Sequence, residues 1–133
     1  MAASFIEHVN ISVGSPDRTA AMLVQLFDWQ VRWSGLSALG GRTLHVGGTS
    51  AYVAVHGRDR DDGAPFSHAK GQPLNHIGVQ VDDLDAVEAR AVKLGLTPFN
   101  HGDYDPGRRF YLMDPDGIEW EIVSYGPAAP AAS

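Results

Sequence analysis

Cysteine is missing from all 133 residues, which excludes disulfides, cysteine-bound zinc, iron–sulfur clusters and thiol nucleophiles. Long apolar runs are missing too. Nothing approaches the roughly 18–20 apolar residues that cross a bilayer, and the opening MAASFIEHVN has no basic stretch leading into an apolar one. Positive charge is scarce: ten Lys and Arg stand against sixteen Asp and Glu, a formal charge of −6, with no basic stripe. Neither nucleic acid nor a membrane is therefore expected as a partner. With no feature pointing to an oxidising compartment, the expected location is the cytoplasm. Hydrophobic residues make up 44% of the chain, enough to bury one core without covalent staples. The ending GPAAPAAS, 126–133, is small, aperiodic and proline-containing, and reads as a disordered tail.

What the chain does contain is a repeat. Shifted by 68, His8 falls on His76, Val9 on Ile77, Ile11 on Val79, Val13 on Val81 and Asp17 on Asp85, with no gap. Each copy opens with an alternating β-branched run, EHVNISV or NHIGVQV, and continues at helical period. In the first copy Ser15 is positioned to cap, Pro16 to take the first turn, and Leu23, Leu26 and Phe27 to form the apolar stripe. In the second, Asp82 or Asp83 caps, Leu84, Val87, Ala91 and Leu94 form the stripe, and Gly95 ends the helix.

Three β-like runs follow each helix: QVRWSG, RTLHV and AYVAVH, then LTPFNH, RRFYLM and IEWEIVSY. A hairpin turn is expected at Asp114-Pro115-Asp116-Gly117, with GGTS, 47–50, in the matching place. The fold class expected is α+β: two βαβββ modules, about 4–56 and 74–125, form a single domain over 4–125 around a polar linker, 57–73. A lone four-stranded unit leaves one sheet face bare, so twofold pairing is expected, including a homodimer.

Alternate residues of a strand share a face. Val9, Ile11 and Val13 suit the helix-packed side, which leaves His8, Asn10 and Ser12 on the other. Ile77, Val79 and Val81 likewise leave His76, Gly78 and Gln80, and Ile118, Trp120 and Ile122 leave Glu119 and Glu121. A single histidine in a strand is usually just a satisfied polar residue. Two at equivalent positions of a repeat, with a carboxylate on the corresponding face of a third strand, form a two-His-one-carboxylate set suited to a divalent metal.

These segments resemble the vicinal oxygen chelate superfamily, which includes glyoxalase I, extradiol dioxygenases, fosfomycin-resistance transferases and bleomycin-resistance proteins. EHVNISV, NHIGVQVDDLDAVEARAVKLG and RRFYLMDPDGIEWEIVSY carry the resemblance, over about Phe5 to Tyr125. It implies a curved mixed sheet with helices on the outer face. It also implies metal ligands at His8, His76 and Glu121, with Glu121 doubling as the catalytic carboxylate, and a divalent ion among Fe, Mn, Ni, Zn or Co. A fourth ligand, usual in glyoxalases, aligns at a shift of 67 with Ala54, which cannot serve. His56 is the alternative on that strand, and Glu119 a partner at most.

Asn10, Tyr52, Gln80, Tyr104 and Arg109 are the substrate-binding candidates, the last two within FNHGDYDPGRRF, 99–110, which also reads as a solvated hairpin loop. Trp29, Trp33 and Trp120 are expected to pack. The implied function is a metal-dependent lyase, isomerase or dioxygenase acting on a small oxygen-rich metabolite by bidentate chelation. The alternative is a non-catalytic, bleomycin-resistance-like protein that sequesters a small molecule.

Overall fold

The structure, a computed structural model, describes residues 6–36, 41–58, 66, 74–104 and 107–125. The expected tail at 126–133 and most of the linker lie outside them. The chain divides into two units, Met1–Lys70 and Gly71–Ser133. Unit 1 runs β1 (His8–Ser12), α1 (Pro16–Phe27), β2 (Gln30–Leu36), β3 (Arg42–Gly47) and β4 (Tyr52–Gly57). Unit 2 repeats the order as β5 (Ile77–Gln80), α2 (Leu84–Lys93), β6 (Phe99–Tyr104), β7 (Gly107–Met113) and β8 (Glu119–Ser124). Each unit is therefore βαβββ, and the fold class is α+β as expected. Among the described residues no helix is long and apolar enough to cross a membrane.

Each unit forms one four-stranded mixed sheet, ordered β1-β4-β3-β2 or β5-β8-β7-β6. The first strand pairs parallel with the last, and the other pairs are antiparallel. A parallel pair requires a long crossover, which the helix and two intervening strands provide. Helix starts follow the sequence. Ser15 Oγ accepts from Arg18 N at 3.2 Å ahead of Pro16, and Asp83 Oδ1 accepts from Ala86 N at 3.0 Å. Each cap satisfies a backbone donor that the first helical turn leaves without a partner.

One face of each sheet carries the apolar residues. Ile11, Leu44, Val46, Val53 and Val55 are buried with Leu23 and Leu26 of α1; Val79, Phe110, Leu112, Trp120 and Ile122 are buried with Leu84, Val87 and Ala91 of α2. Fully burying a side chain of this size contributes about 1.5–3 kcal/mol. Each unit also has an ion pair of its own at the matching place. The Asp17 carboxylate of α1 accepts from Arg42 at 2.7 and 3.1 Å, and Asp85 of α2 from Arg108 at 2.8 and 3.4 Å.

The β7–β8 turn is held by more than Pro115 and Gly117, whose φ is +81°. Asp114 is buried. Its Oδ1 accepts from Asp116 N at 2.9 Å and Ile118 N at 3.0 Å, and Oδ2 accepts from Trp120 Nε1 at 3.1 Å. Burial raises its carboxyl above the ordinary value, against these three hydrogen bonds. The carboxylate thus ties the turn to the largest buried side chain.

The stretch 99–110, which also read as a loop, follows the β-like runs LTPFNH and RRFYLM instead. Residues 99–104 form edge strand β6, paired to β7 with a register irregularity between Phe99 and Gly102. Asn100 there has a φ of +55°, a conformation that Asn tolerates better than most residues. The bulge interrupts the alternation that marks a strand in sequence.

Candidate functional site

In unit 2 the face opposite the helix is set by β8 and its neighbours. Glu121 lies opposite Tyr111 on β7 and Gly78 on β5, and a Cβ added at Gly78 would meet nothing within 4 Å. Glu121 Oε1 lies 2.9 Å from His76 Nε2, and Oε2 accepts from Arg109 Nη1 at 2.9 Å. Beside Glu121, burial together with the Glu121 charge raises the Tyr111 phenol above its ordinary value and keeps it protonated. The Tyr111 ring stands edge-on to His76 at 5.7 Å. A cation and an imidazole therefore converge on one carboxylate, with a tyrosine as its strand neighbour.

In unit 1 the equivalent face holds rings. His8 stacks on Tyr52 at 5.0 Å, Tyr52 on His45 at 4.3 Å, and His45 meets Trp33 at 4.8 Å. These four residues come from β1, β4, β3 and β2, the order of the strands in the sheet. The Arg32 guanidinium lies 4.9 Å from the centre of the Tyr52 ring. Desolvation lowers the His45 imidazole below its ordinary value, with help from His8 and Arg32 and against Glu7.

The candidate histidines share one further feature. His8 Nδ1 lies 2.9 Å from Glu7 Oε1, and His76 Nδ1 lies 2.7 Å from Asn75 Oδ1. An Nδ1–H donated to the preceding side chain leaves Nε2 as the coordinating nitrogen, the orientation that metal-binding imidazoles take from their surroundings. For His76 the consequence goes further, because Nε2 faces a carboxylate oxygen. Such a contact needs either a second ring proton or a cation bound by both atoms. The 2.9 Å separation suits either case: it is an ordinary N–H···O distance, and neighbouring donors of an octahedral ion at about 2.1 Å are also about 3 Å apart. His76 and Glu121 thus fit two positions of a divalent ion. Among the described residues no three His, Cys, Asp or Glu side chains cluster closely enough to complete one.

This chain matches the model of the Glyoxalase/Bleomycin resistance protein/Dioxygenase superfamily over residues 5–122. It belongs to that superfamily. None of the curated proteins compared with the chain matches it. Among solved structures, a glyoxylase/bleomycin resistance protein/dioxygenase domain from Frankia sp. EAN1pec is 20% identical with a TM-score of 0.75, covering 92% of this chain and 98% of its own. TioX from Micromonospora sp. ML1 is 21% identical with a TM-score of 0.68, covering 92% and 99%. A point mutant of the fosfomycin resistance protein FosX from Listeria monocytogenes, complexed with Mn(II) and 1S,2S-dihydroxypropylphosphonic acid, is 18% identical with a TM-score of 0.71, covering 96% and 94%. At these identities the likeness is one of fold.

Of the residues singled out in the sequence, the structure brings His76, Glu121 and Arg109 into direct contact. Tyr104 lies against Arg109, with the guanidinium 4.5 Å from its ring centre. In unit 1 His8 contacts Tyr52, while Asn10 lies opposite Ala54. Gln80 is exposed on β5, two residues beyond Gly78. Ala54 is buried, and its antiparallel neighbour is His45. His56 is not a strand-end surface residue: it is 2% exposed, with Nδ1 3.2 Å from Thr43 Oγ1 and its ring 5.7 Å from Phe66. Trp33, expected to pack, is 49% exposed.

Four residues of the two faces escaped sequence reasoning: Glu7, Asn75, His45 and Tyr111. The repeat held the signal for the first two, because the shift of 68 aligns Glu7 with Asn75. His45 and Tyr111 follow only from strand register.

Proposed function

We propose that this chain is a metal-dependent enzyme of the glyoxalase/dioxygenase superfamily acting on a small oxygen-rich metabolite as a lyase, isomerase or dioxygenase, with His8, His76 and Glu121 as ligands. A bound divalent ion supplies a Lewis acid that polarises a substrate carbonyl or takes two substrate oxygens. The observation that carries this reading is the His76–Glu121 contact, with Nδ1 of His76 committed to Asn75 and Nδ1 of His8 to Glu7 in the same way. The Mn(II) held by the structurally similar Listeria FosX mutant supports a divalent ion. Glu121 also serves as the catalytic carboxylate, its orientation held by Arg109. Asn10, Tyr52, Gln80, Tyr104 and Arg109 contact substrate.

The test is metal content per chain after loading with Fe, Mn, Ni, Zn or Co, beside Glu121→Ala. Near-stoichiometric metal that the variant loses is expected; none in the natural protein overturns the reading. We place the active form as a cytoplasmic homodimer. Mixing His8→Ala with Glu121→Ala protein restores part of the metal binding only if ligands come from two copies.

A second reading has its own observations: Arg109 already balances Glu121, and the ring row of unit 1 suits a planar small molecule held without chemistry. Chelator separates the two, because it lowers thermal stability only where a metal binds the folded state.

A further inference from the structure

Arg109 makes fewer hydrogen bonds than its burial calls for. Its side chain is 14% exposed, and among the described residues only Nη1 has a hydrogen-bond partner, Glu121 Oε2. Nε and Nη2 are shielded from solvent and find no hydrogen-bond partner among the described residues. Leaving a buried charged donor unsatisfied is costly, and two on one guanidinium are unusual. Those two N–H groups form one edge of the guanidinium fork, the edge that receives two oxygens of a carboxylate or a phosphoryl group side by side.

The surroundings favour that use. The Tyr104 ring lies on the guanidinium, yet Tyr104 is 59% exposed. Gly102, the register partner of Arg109, makes the arrangement possible: a Cβ there would lie 2.7 Å from Tyr104 Cε1 and 3.4 Å from Arg109 Cγ. The missing side chain lets the phenol ring lie down over the cation. A single cation–π contact to an exposed ring is weak enough for a charged ligand to displace.

We propose that the Nε/Nη2 edge of Arg109 is a binding site for an oxyanion, so that the substrate carries a carboxylate or phosphoryl group, and that the Tyr104 ring stacked on the guanidinium moves aside as the anion arrives. This rests on the reading of the Glu121 face as the substrate side of the site. Arg109 then holds the ligand carboxylate with Nη1 and the substrate anion with its other edge, which fixes the distance between them. General attraction does not account for anion binding here, because the chain carries a formal charge of −6.

The experiment is a titration with inorganic phosphate and, separately, acetate at constant ionic strength, following the Arg Nε–H signals by NMR and affinity by calorimetry. It is run on chelator-treated protein and again with Mn(II). One arginine signal is expected to shift saturably, and Arg109→Gln should weaken binding at least about tenfold, with Arg109→Lys between. Gly102→Ala, which pushes Tyr104 aside, should tighten it. The tighter of the two anions identifies the group. Binding unchanged in Arg109→Gln overturns the proposal, and so does the absence of any shifted Arg signal in the natural protein, a readout that stands even if a variant fails to fold. Phosphate or acetate bound without metal uptake keeps this inference and removes the metal reading; metal uptake without anion binding does the reverse.

Discussion

The two units share a scaffold and differ on one face. Behind that face they match closely: a capped helix, buried apolar residues, and an Asp of the helix paired to an Arg of the third strand, Asp17 with Arg42 and Asp85 with Arg108. In front, unit 1 has rings, His8, Tyr52, His45 and Trp33, whereas unit 2 has charge, His76, Arg109 and Glu121. Only the histidine that opens each copy and the oxygen-bearing residue before it are common to both. The core of a repeat is constrained by packing, while residues pointing the other way are free to diverge.

The sharpest way to break the comparison is at the turn. Unit 2 has Asp114 bonded to two backbone amides and an indole, and unit 1 has GGTS in the matching place with no carboxylate. Asp114→Ala leaves those three donors without their acceptor and should cost about 2–5 kcal/mol in urea unfolding; a loss under about 1 kcal/mol would mean the turn holds itself. The helix caps should show the units at their most alike, with Ser15→Ala and Asp83→Ala each removing about 1 kcal/mol. A large inequality between them would show that one helix depends far more on its packing.

Acid should separate the faces again. His45 is held below its ordinary value of 6.5, so its unfolded form takes up a proton first. Stability therefore falls as pH drops from about 7 through 6.5, and His45→Gln should flatten that slope; an unchanged slope assigns the effect elsewhere. The smallest effect belongs to the paired surface bridges. Hydrogen bonding from Arg108 holds the Asp85 carboxyl below its ordinary value, so that contribution is present above about pH 4 and lost as pH falls further. Double-mutant cycles on Asp17–Arg42 and Asp85–Arg108 should give similar small couplings that molar salt erases.

The repeat and the strand period made much of this legible in the sequence. Aligning His8 with His76 fixed where each copy begins, and Val9, Ile11 and Val13 against His8, Asn10 and Ser12 fixed which face is which. Ser15, Pro16 and Gly95 marked helix ends because their chemistry is local. Strand β6 was legible only at its start, in LTPFNH, and not on to Tyr104, since Asn100 at positive φ and the register irregularity after Phe99 spoil the alternation. Nor was the pairing of Arg109 with Glu121, or the row through His45. Both depend on which residues of different strands lie side by side, and hydrogen-bond register decides that.

Gly78 carries a consequence for how this protein can change. It stands beside Glu121 on the short strand β5, with open space where a side chain would be. Among the described residues a new Cβ there meets no steric objection, so the position is open to variation. A directed-evolution library at Gly78 should retain folding in most members while varying what the face binds. The same vacancy means that a homologue with a larger residue at this point has a differently shaped recognition surface on an unaltered frame.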